Sequence, residues 1–331
     1  MNTSLKLLRF LGPTLLFFAT FVVFPPLVMS YLSAELDSGM LIIWFLAAVY
    51  AGIIALTLRR KKFSYTPKDG FIITFVAWVF VSLIASFPFF SYGLSFSDSV
   101  FEAVSGLTTT GSTSITNLSE LPDYLLLYRQ LLQWAGGVGL VIVVLAIIPA
   151  VSGGMKVLQA ETAGFADKSF SPRLRETARS LLRFYLLITF LCAFAYWLAG
   201  MSVFEATTHS FSTVSIGGFS IYNENIGYFN NFQIELIAVV FMLISATNFG
   251  LHFLALTKKS IKYHLNNDEF KFFLLVIAVS IIVSTLTLFA SNFFPYSKPS
   301  SYKGSHSART IKVFGWFLKL SFLIGDNLIS L

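Results

Sequence analysis

The chain has 331 residues, of which 56% are hydrophobic and 12% are charged, and its formal net charge is +7. Soluble domains carry about 25% charged residues, so this composition argues against a water-soluble globular protein. The single cysteine, Cys192, cannot form an intrachain disulfide, and the four histidines show no zinc-ligand spacing. The composition therefore predicts an integral membrane protein.

Seven apolar runs are long enough to be membrane helices, which need about 20 residues each. The first contains Pro25 and Pro26 and lacks a clean small-residue cleavage site, so we expect a retained helix rather than a cleaved signal. The runs cover residues 10–30, 40–58, 71–92, 129–151, 181–200, 233–257 and 270–294.

Lys and Arg are concentrated in alternate connections between these runs. They precede the first run and lie between the second and third, the fourth and fifth, and the sixth and seventh. Residues 31–39, 93–128 and 201–232 contain neither Lys nor Arg. Positively charged loops stay inside the cell, so we expect a cytoplasmic N-terminus. The basic residues thus set orientation, and no basic face for nucleic acid is indicated.

Two of the acidic connections resemble each other. Residues 96–114 read FSDSVFEAVSGLTTTGSTS, and residues 202–220 read SVFEATTHSFSTVSIGGFS. Both contain S-V-F-E-A, followed by Ser and Thr and then glycine, which indicates an internal repeat. Each predicts a short helix, with Ser97 or Asp98 capping residues 99–107 and Ser202 capping residues 203–211.

The polar tails of the two segments, residues 108–111 and 215–218, favour extended backbone that ends at glycine. Extended backbone is tolerated at membrane depth only inside protein or along a water-filled path. Rows of backbone carbonyls there can replace the hydration shell of a cation. The alternative is a pair of ordinary external loops in which Thr and Gly only form turns.

Four polar side chains near these segments have two interpretations each. Arg129 is either a snorkelling anchor, which we expect, or a charge that repels cations from a side path. Glu102 and Glu205 occupy matching positions of the S-V-F-E-A repeat and either bond the backbone behind these polar tails or are solvated. His209 is either a hydrogen-bonded helix residue or a pH sensor. Close helix approach is expected at Gly136, Gly137 and Gly139.

Several longer stretches carry a family resemblance. They are FEAVSGLTTTGST (101–113), RQLLQWAGGVGLVIVVLAIIP (129–149), GGMKVLQAET (153–162), SPRLRETA (171–178) and HSFSTVSIGGFS (209–220). In these the chain resembles the TrkH/KtrB family of bacterial potassium-uptake proteins, and most of all its TrkH branch. The resemblance implies an all-α integral membrane fold, in which helix–re-entrant pore loop–helix units surround a potassium-channel-like pore.

The resemblance also implies a function and a site. We expect potassium uptake across the bacterial inner membrane, with no organic cofactor and no enzyme activity, since no catalytic set of side chains is visible. The implied partners are membrane lipid, a cytosolic nucleotide-binding gating subunit of the Trk type, and a second copy in a homodimer. By the resemblance, two segments would form part of a selectivity filter and bind potassium mainly through backbone carbonyls: Thr109, Thr110 and Gly111 in the first repeat, and Ile216, Gly217 and Gly218 in the second. Gly111 aligns with Gly218, with Gly217 as the alternative.

By this resemblance the chain divides into six segments: a two-helix preamble (1–62), a first pore repeat (63–152), a basic cytoplasmic linker (153–180), a second pore repeat (181–258), the first helix of a third repeat (259–294) and a divergent tail (295–331). We expect the resemblance to end near residue 294, as in a C-terminally truncated or frameshifted product. The alternative function is therefore a non-conducting fragment. Two filter strands alone would need a second chain to close a ring.

Overall fold

A computed structural model describes residues 3–58, 67–151, 170–247 and 262–293, together with 251, 252, 255, 258 and 260. The described residues form helices and connecting turns and contain no strand. The chain divides into two compact units, Met1–Leu182 and Arg183–Leu331.

The N-terminal hairpin of the first unit comprises α1 (Thr3–Phe18), a π-helical turn (Ala19–Val23), α2 (Phe24–Leu32) and α3 (Ser38–Leu58). The π-turn is closed by the N–H of Phe24 bonding to the carbonyl of Ala19. It directly precedes Pro25 and Pro26, which lack N–H donors and disturb a regular helix. Helix α3 begins after Asp37, whose Oδ1 accepts the N–H of Met40 at 2.7 Å.

Residues 67–151 of the first unit form one helix–loop–helix repeat. Its outer arm is α4 (Pro67–Ala85) continued by α5 (Phe87–Tyr92), and Gly93 in the left-handed region ends that arm. The short helix α6 (Phe96–Leu107) follows, and then an irregular segment leads into the long helix α7 (Asp123–Val151).

The second unit contains the same order of elements. Helix α8 (Phe170–Leu198) includes the boundary between the units and is followed by the short α9 (Val203–Val214) and by α10 (Phe232–Ala246). A single turn, α11 (Lys262–Leu265), then precedes α12 (Asp268–Phe293). Within the residues that the structure describes, each of the seven predicted apolar runs lies mainly on helices, although α7 starts six residues before the predicted boundary of 129.

Three described helical stretches are long and apolar enough to cross a membrane: Phe10–Leu32, Ile72–Tyr92 and Arg179–Leu198. Two shorter apolar stretches are Ser38–Ile54 and Phe232–Ala246. Their outward side chains are large and apolar; Phe45 is 59% exposed and Phe75 is 71% exposed. Lipid is the solvent that such surfaces require. The chain is a membrane protein.

Some sequence-based predictions concern residues outside those that the structure describes. The predicted tail at 295–331 lies wholly outside them, and so does the linker between residues 153 and 169. The basic positions at 59–62 also fall outside the described ranges.

Candidate functional site: two filter turns and their supports

The first short helix, α6, is capped by a residue that the sequence analysis did not select. Ser95 is the N-cap, and its Oγ accepts the N–H of Asp98 at 3.1 Å. The prediction that Ser97 or Asp98 caps the helix was wrong, because the chain turns into the helix earlier, at the extended backbone of Ser95 (φ −59°, ψ 156°). The cap of the second short helix, Ser202, is confirmed.

Helix α6 ends in a Schellman turn. The N–H of Thr109 bonds to the carbonyl of Gly106 at 2.9 Å, and the N–H of Thr110 bonds to the carbonyl of Ser105 at 2.9 Å. This turn places Thr109 in the left-handed region, with φ 53°. Glycine usually occupies that position, and a β-branched residue there is strained. Gly111 is also left-handed, with φ 76°.

The second short helix, α9, ends in the same turn. Ile216 N–H bonds to the carbonyl of Thr213 at 3.1 Å, and Gly217 N–H bonds to the carbonyl of Ser212 at 2.8 Å. Ile216 has φ 53° and Gly218 has φ 82°. Every element of the first turn therefore recurs 107 positions later, which is the difference between 218 and 111. In this register Gly218, rather than Gly217, corresponds to Gly111.

This register agrees with the alignment of Gly111 with Gly218 and overturns only the matching of the two S-V-F-E-A segments. The S-V-F-E-A segments are offset by 103 positions, from Ser99 to Ser202, whereas the backbone repeats at 107. The difference of four residues is about one helical turn. The prediction that Glu102 and Glu205 match was therefore wrong. Glu102 corresponds to His209 in the 107-residue register.

Glu102 lies at the centre of a buried network behind the first turn. Its Oε1 accepts the hydroxyl of Thr113 and the N–H of Ser114, the latter at 2.8 Å. Its Oε2 is 3.2 Å from Nε of Arg129. The side chains of Glu102 and Arg129 are 0% and 1% exposed. Of the two interpretations of Glu102, the structure favours the one in which it bonds the backbone behind the filter.

Arg129 is not a snorkelling anchor, so that expectation was wrong. Besides Glu102, its guanidinium donates to Thr113 Oγ1 at 3.2 Å. A cation sealed in protein needs a partner anion, and Glu102 supplies it from the neighbouring helix. Apolar sequence around Arg129 suggested a helix end at the membrane surface, but the carboxylate lies 27 residues away and was not visible as a partner.

His209 takes the corresponding place behind the second turn. It is 1% exposed. Its Nδ1 lies 2.9 Å from the carbonyl oxygen of Glu205, and its Nε2 lies 3.1 Å from Ser220 Oγ. A carbonyl can only accept, so Nδ1 carries the proton. Burial disfavours the charged form of the ring, so the ring is neutral and Nε2 accepts the Ser220 hydroxyl. The structure places His209 as a hydrogen-bonded helix residue.

The two hydroxyl residues, Thr113 and Ser220, were missed by the sequence analysis. Each follows its buried partner by 11 residues, from Glu102 and from His209 respectively. Each hydroxyl oxygen also accepts the N–H two residues further on, at 3.1 Å from Ile115 and 3.0 Å from Tyr222. The equal spacing was the one signal in the sequence that could have revealed them.

The predicted potassium ligands lie at these two turns, which we call the first and second filter turns. Thr109, Thr110 and Gly111 follow one another at the end of α6 in the first unit, and Ile216, Gly217 and Gly218 do so at the end of α9 in the second. Within the first triplet Thr110 is exposed, and within the second Gly218 is exposed.

Comparison with known proteins identifies the family. A sequence model of the TrkH family, described as "Cation transport protein", matches residues 39–322. The chain belongs to the TrkH family. The match extends past residue 294, the point where we expected the resemblance to end.

Relatives and a solved structure agree with this membership. The Trk system potassium uptake protein TrkH of Salmonella typhimurium is 37% identical over 291 residues, which cover 86% of this chain and 60% of that protein. TrkH of Vibrio parahaemolyticus is 44% identical over 237 residues, covering 70% of this chain and 49% of that protein. The crystal structure of the potassium transporter TrkH from Vibrio parahaemolyticus aligns with a TM-score of 0.75 and 33% identity, covering 97% of this chain and 64% of that one.

This TrkH-family chain thus spans about 60% of the length of the Salmonella relative. The helical architecture predicted from the sequence agrees with that of the Vibrio transporter.

Proposed function

We propose that this TrkH-family chain forms part of a potassium-selective pore for uptake across the bacterial inner membrane. The observation that carries the proposal is the duplicated turn, with left-handed backbone at Thr109 and Gly111 and again at Ile216 and Gly218. Where left- and right-handed residues alternate, successive N–H groups point to one side. We infer that their carbonyls turn to the other side, where they can form a row of oxygens. The Gly218 carbonyl also accepts the side-chain amide of Asn225 at 3.2 Å and has a second lone pair for an ion.

Such a row suits a dehydrated cation. Carbonyl oxygens replace the water that K⁺ loses, and the ligands are the backbone of the two triplets, Thr109 to Gly111 and Ile216 to Gly218. Both turns follow the C-terminus of a short helix, where the helix dipole presents partial negative charge. The Trk potassium-uptake names of the relatives support K⁺ as the transported ion.

We also propose an orientation in the membrane, a role for each segment of the chain and three partners. The N-terminus faces the cytoplasm because the basic connections lie on its side of the membrane. The segments 1–62, 63–152, 153–180, 181–258, 259–294 and 295–331 act as preamble, first repeat, linker, second repeat, partial third repeat and tail. A cytosolic nucleotide-binding subunit of the Trk type, membrane lipid and a second copy of the chain are the partners.

Rescue of a bacterium that lacks potassium uptake tests the function. Expression of this chain is expected to restore growth at low external K⁺ and uptake of Rb⁺. The proposal is contradicted if the chain inserts into the membrane at normal levels and restores neither. That result would favour the non-conducting alternative.

Matched glycine variants make the test specific for the two turns. Gly111→Ala and Gly218→Ala are expected to abolish uptake, because an L side chain resists the left-handed backbone at φ 76° and 82°. Gly93 and Gly200 are also left-handed, with φ 117° and 103°, and lie outside the turns. Gly93→Ala and Gly200→Ala carry similar strain and are expected to retain uptake.

A further inference from the structure

We propose that the Glu102–Arg129 pair and the neutral His209 are interchangeable positioning groups. Each holds the chain segment after its filter turn, and together they set the preference for K⁺ over Na⁺. The inference rests on the proposed function and extends it to residues that touch no ion. Both groups act on a hydroxyl two residues beyond a filter glycine: Thr113 after Gly111 and Ser220 after Gly218.

The segments after the two turns share the same pair of hydrogen bonds. In each repeat one buried side chain on the short helix accepts the hydroxyl of Thr113 or Ser220, and that hydroxyl oxygen accepts the N–H two residues later. Glu102 makes one further bond, from the N–H of Ser114. In the first repeat the acceptor is the carboxylate of Glu102; in the second it is the imidazole of His209. The hydrogen-bond role is therefore constant, while the charge of the acceptor differs.

The helix that follows each turn carries the compensating difference. Arg129 is the seventh residue of α7. The connection from Gly218 to α10 is two residues longer than the one from Gly111 to α7, so these two helices are offset by 109 positions and Ala238 is the seventh residue of α10. Arg129 and Ala238 are both 1% exposed. A buried carboxylate requires a buried cation, whereas a neutral ring requires none. The first repeat therefore combines acid with Arg, and the second combines imidazole with Ala.

The acid–Arg pair of the first repeat can be replaced by the imidazole–Ala pair of the second. A histidine at position 102 has the carbonyl of Asp98 four residues earlier, just as His209 has that of Glu205. Its other nitrogen can accept the Thr113 hydroxyl. With Arg129 replaced by alanine, the buried guanidinium is removed together with the carboxylate, and the first repeat then has the charge state of the second. The Ser114 N–H is the one group that loses its acceptor in the exchange.

Either change alone leaves a charge without its partner. Arg129→Ala leaves the Glu102 carboxylate buried without its cation, and Glu102→His leaves the Arg129 guanidinium buried without its anion. The segment that contains Thr113 then loses its fixed position. Because this segment follows the filter turn directly, the distances between the carbonyl oxygens of Thr109 to Gly111 are no longer fixed. Selection between K⁺ and the smaller Na⁺ is expected to weaken, whereas a purely structural defect would reduce the uptake of both ions alike.

The experiment is a double-mutant cycle on the full chain in lipid vesicles, with Rb⁺ and Na⁺ uptake measured in parallel. Arg129→Ala and Glu102→His are each expected to lower the Rb⁺ to Na⁺ uptake ratio by about 10-fold to 100-fold, as loss of outer-shell partners does at ion sites. The combined Glu102→His, Arg129→Ala variant is expected to recover most of that ratio. A double variant no better than the worse single, or singles with an unchanged ratio, would overturn the inference.

A second measurement separates this inference from the proposed function. If the unmodified chain carries neither ion, the proposed function fails, but the thermal unfolding midpoint in detergent still tests the exchange. The double variant must then unfold at a higher temperature than either single variant, and a midpoint at or below theirs overturns the inference. The exposed pair Asp268–Lys271, at 95% and 57% exposure, is the control. Asp268→Asn and Lys271→Ala are expected to change neither midpoint nor uptake ratio.

Discussion

Gly136 of α7 lies directly against the carbonyl oxygen of Leu107, the last residue of the short helix α6. A Cβ built on Gly136 would overlap that oxygen and the backbone beside it. Leu107 immediately precedes the first filter turn, so this contact sets how closely the turn approaches α7. Small residues permit such close approach between membrane helices.

Gly136→Ala is therefore expected to destabilise the protein by about 1–3 kcal/mol, the usual cost of overpacking, and to abolish uptake by displacing the turn. The thermal unfolding midpoint in detergent and Rb⁺ uptake in cells measure the two effects. Gly139→Ala is the matched control, because its Cβ would meet only the Trp78 ring at 3.7 Å. Equal losses of stability and of uptake in the two variants would contradict a specific role for the contact between Gly136 and Leu107.

Arg129→Lys tests the shape of the guanidinium as well as its charge. Arg129 donates from Nε to Glu102 and from a terminal nitrogen to Thr113, and a lysine ammonium cannot reproduce this planar fork. We expect a loss of stability smaller than the ~3–5 kcal/mol that follows complete removal of one partner of a buried pair. Unfolding midpoints of the Lys and Ala variants give the comparison, and a Lys variant as unstable as the Ala variant would show that the charge contributes nothing.

Thr109→Gly and Ile216→Gly test whether backbone strain is retained for function. Both residues are β-branched and left-handed, with φ 53°, which costs roughly 1–2 kcal/mol relative to glycine. The glycine variants are expected to unfold at an equal or higher temperature, yet to lose preference for Rb⁺ over Na⁺ because the turn becomes mobile. Ala34→Gly, at φ 58° outside the filter turns, is expected to leave the preference unchanged. An unchanged preference in both filter variants would refute this role for the strain.

Alanine variants of Ser95 and Ser97 test which of the two residues caps α6. Ser95→Ala removes the oxygen that accepts the Asp98 N–H and is expected to cost about 1 kcal/mol, the typical value for an N-cap. Ser97→Ala, at the residue that the sequence suggested, is expected to cost less than half of that. Thermal unfolding midpoints show which variant loses more stability. A larger loss of stability in Ser97→Ala would favour Ser97 as the cap.

The helices of this chain were largely readable from its sequence. A helix that crosses the lipid needs a long continuous apolar run. Its backbone groups must also form their hydrogen bonds within the helix. Runs such as 40–58 and 270–294 therefore coincide closely with Ser38–Leu58 and Asp268–Phe293. The two polar loops and their terminal glycines were equally visible, because polar segments between membrane helices contrast with their surroundings.

The sequence by itself thus determined the helices, the loops and the candidate filter residues. Only the tertiary structure decided the register between the repeats and the partner of Arg129. Side chains one helical turn apart lie on the same face, so S-V-F-E-A could recur four residues out of register without disturbing the pattern. Arg129 and Glu102 meet because α6 packs against α7, and a contact between residues far apart in sequence leaves no local pattern. The register follows from the backbone turns at Thr109 and Ile216, where the chain adopts angles that its β-branched residues do not by themselves favour.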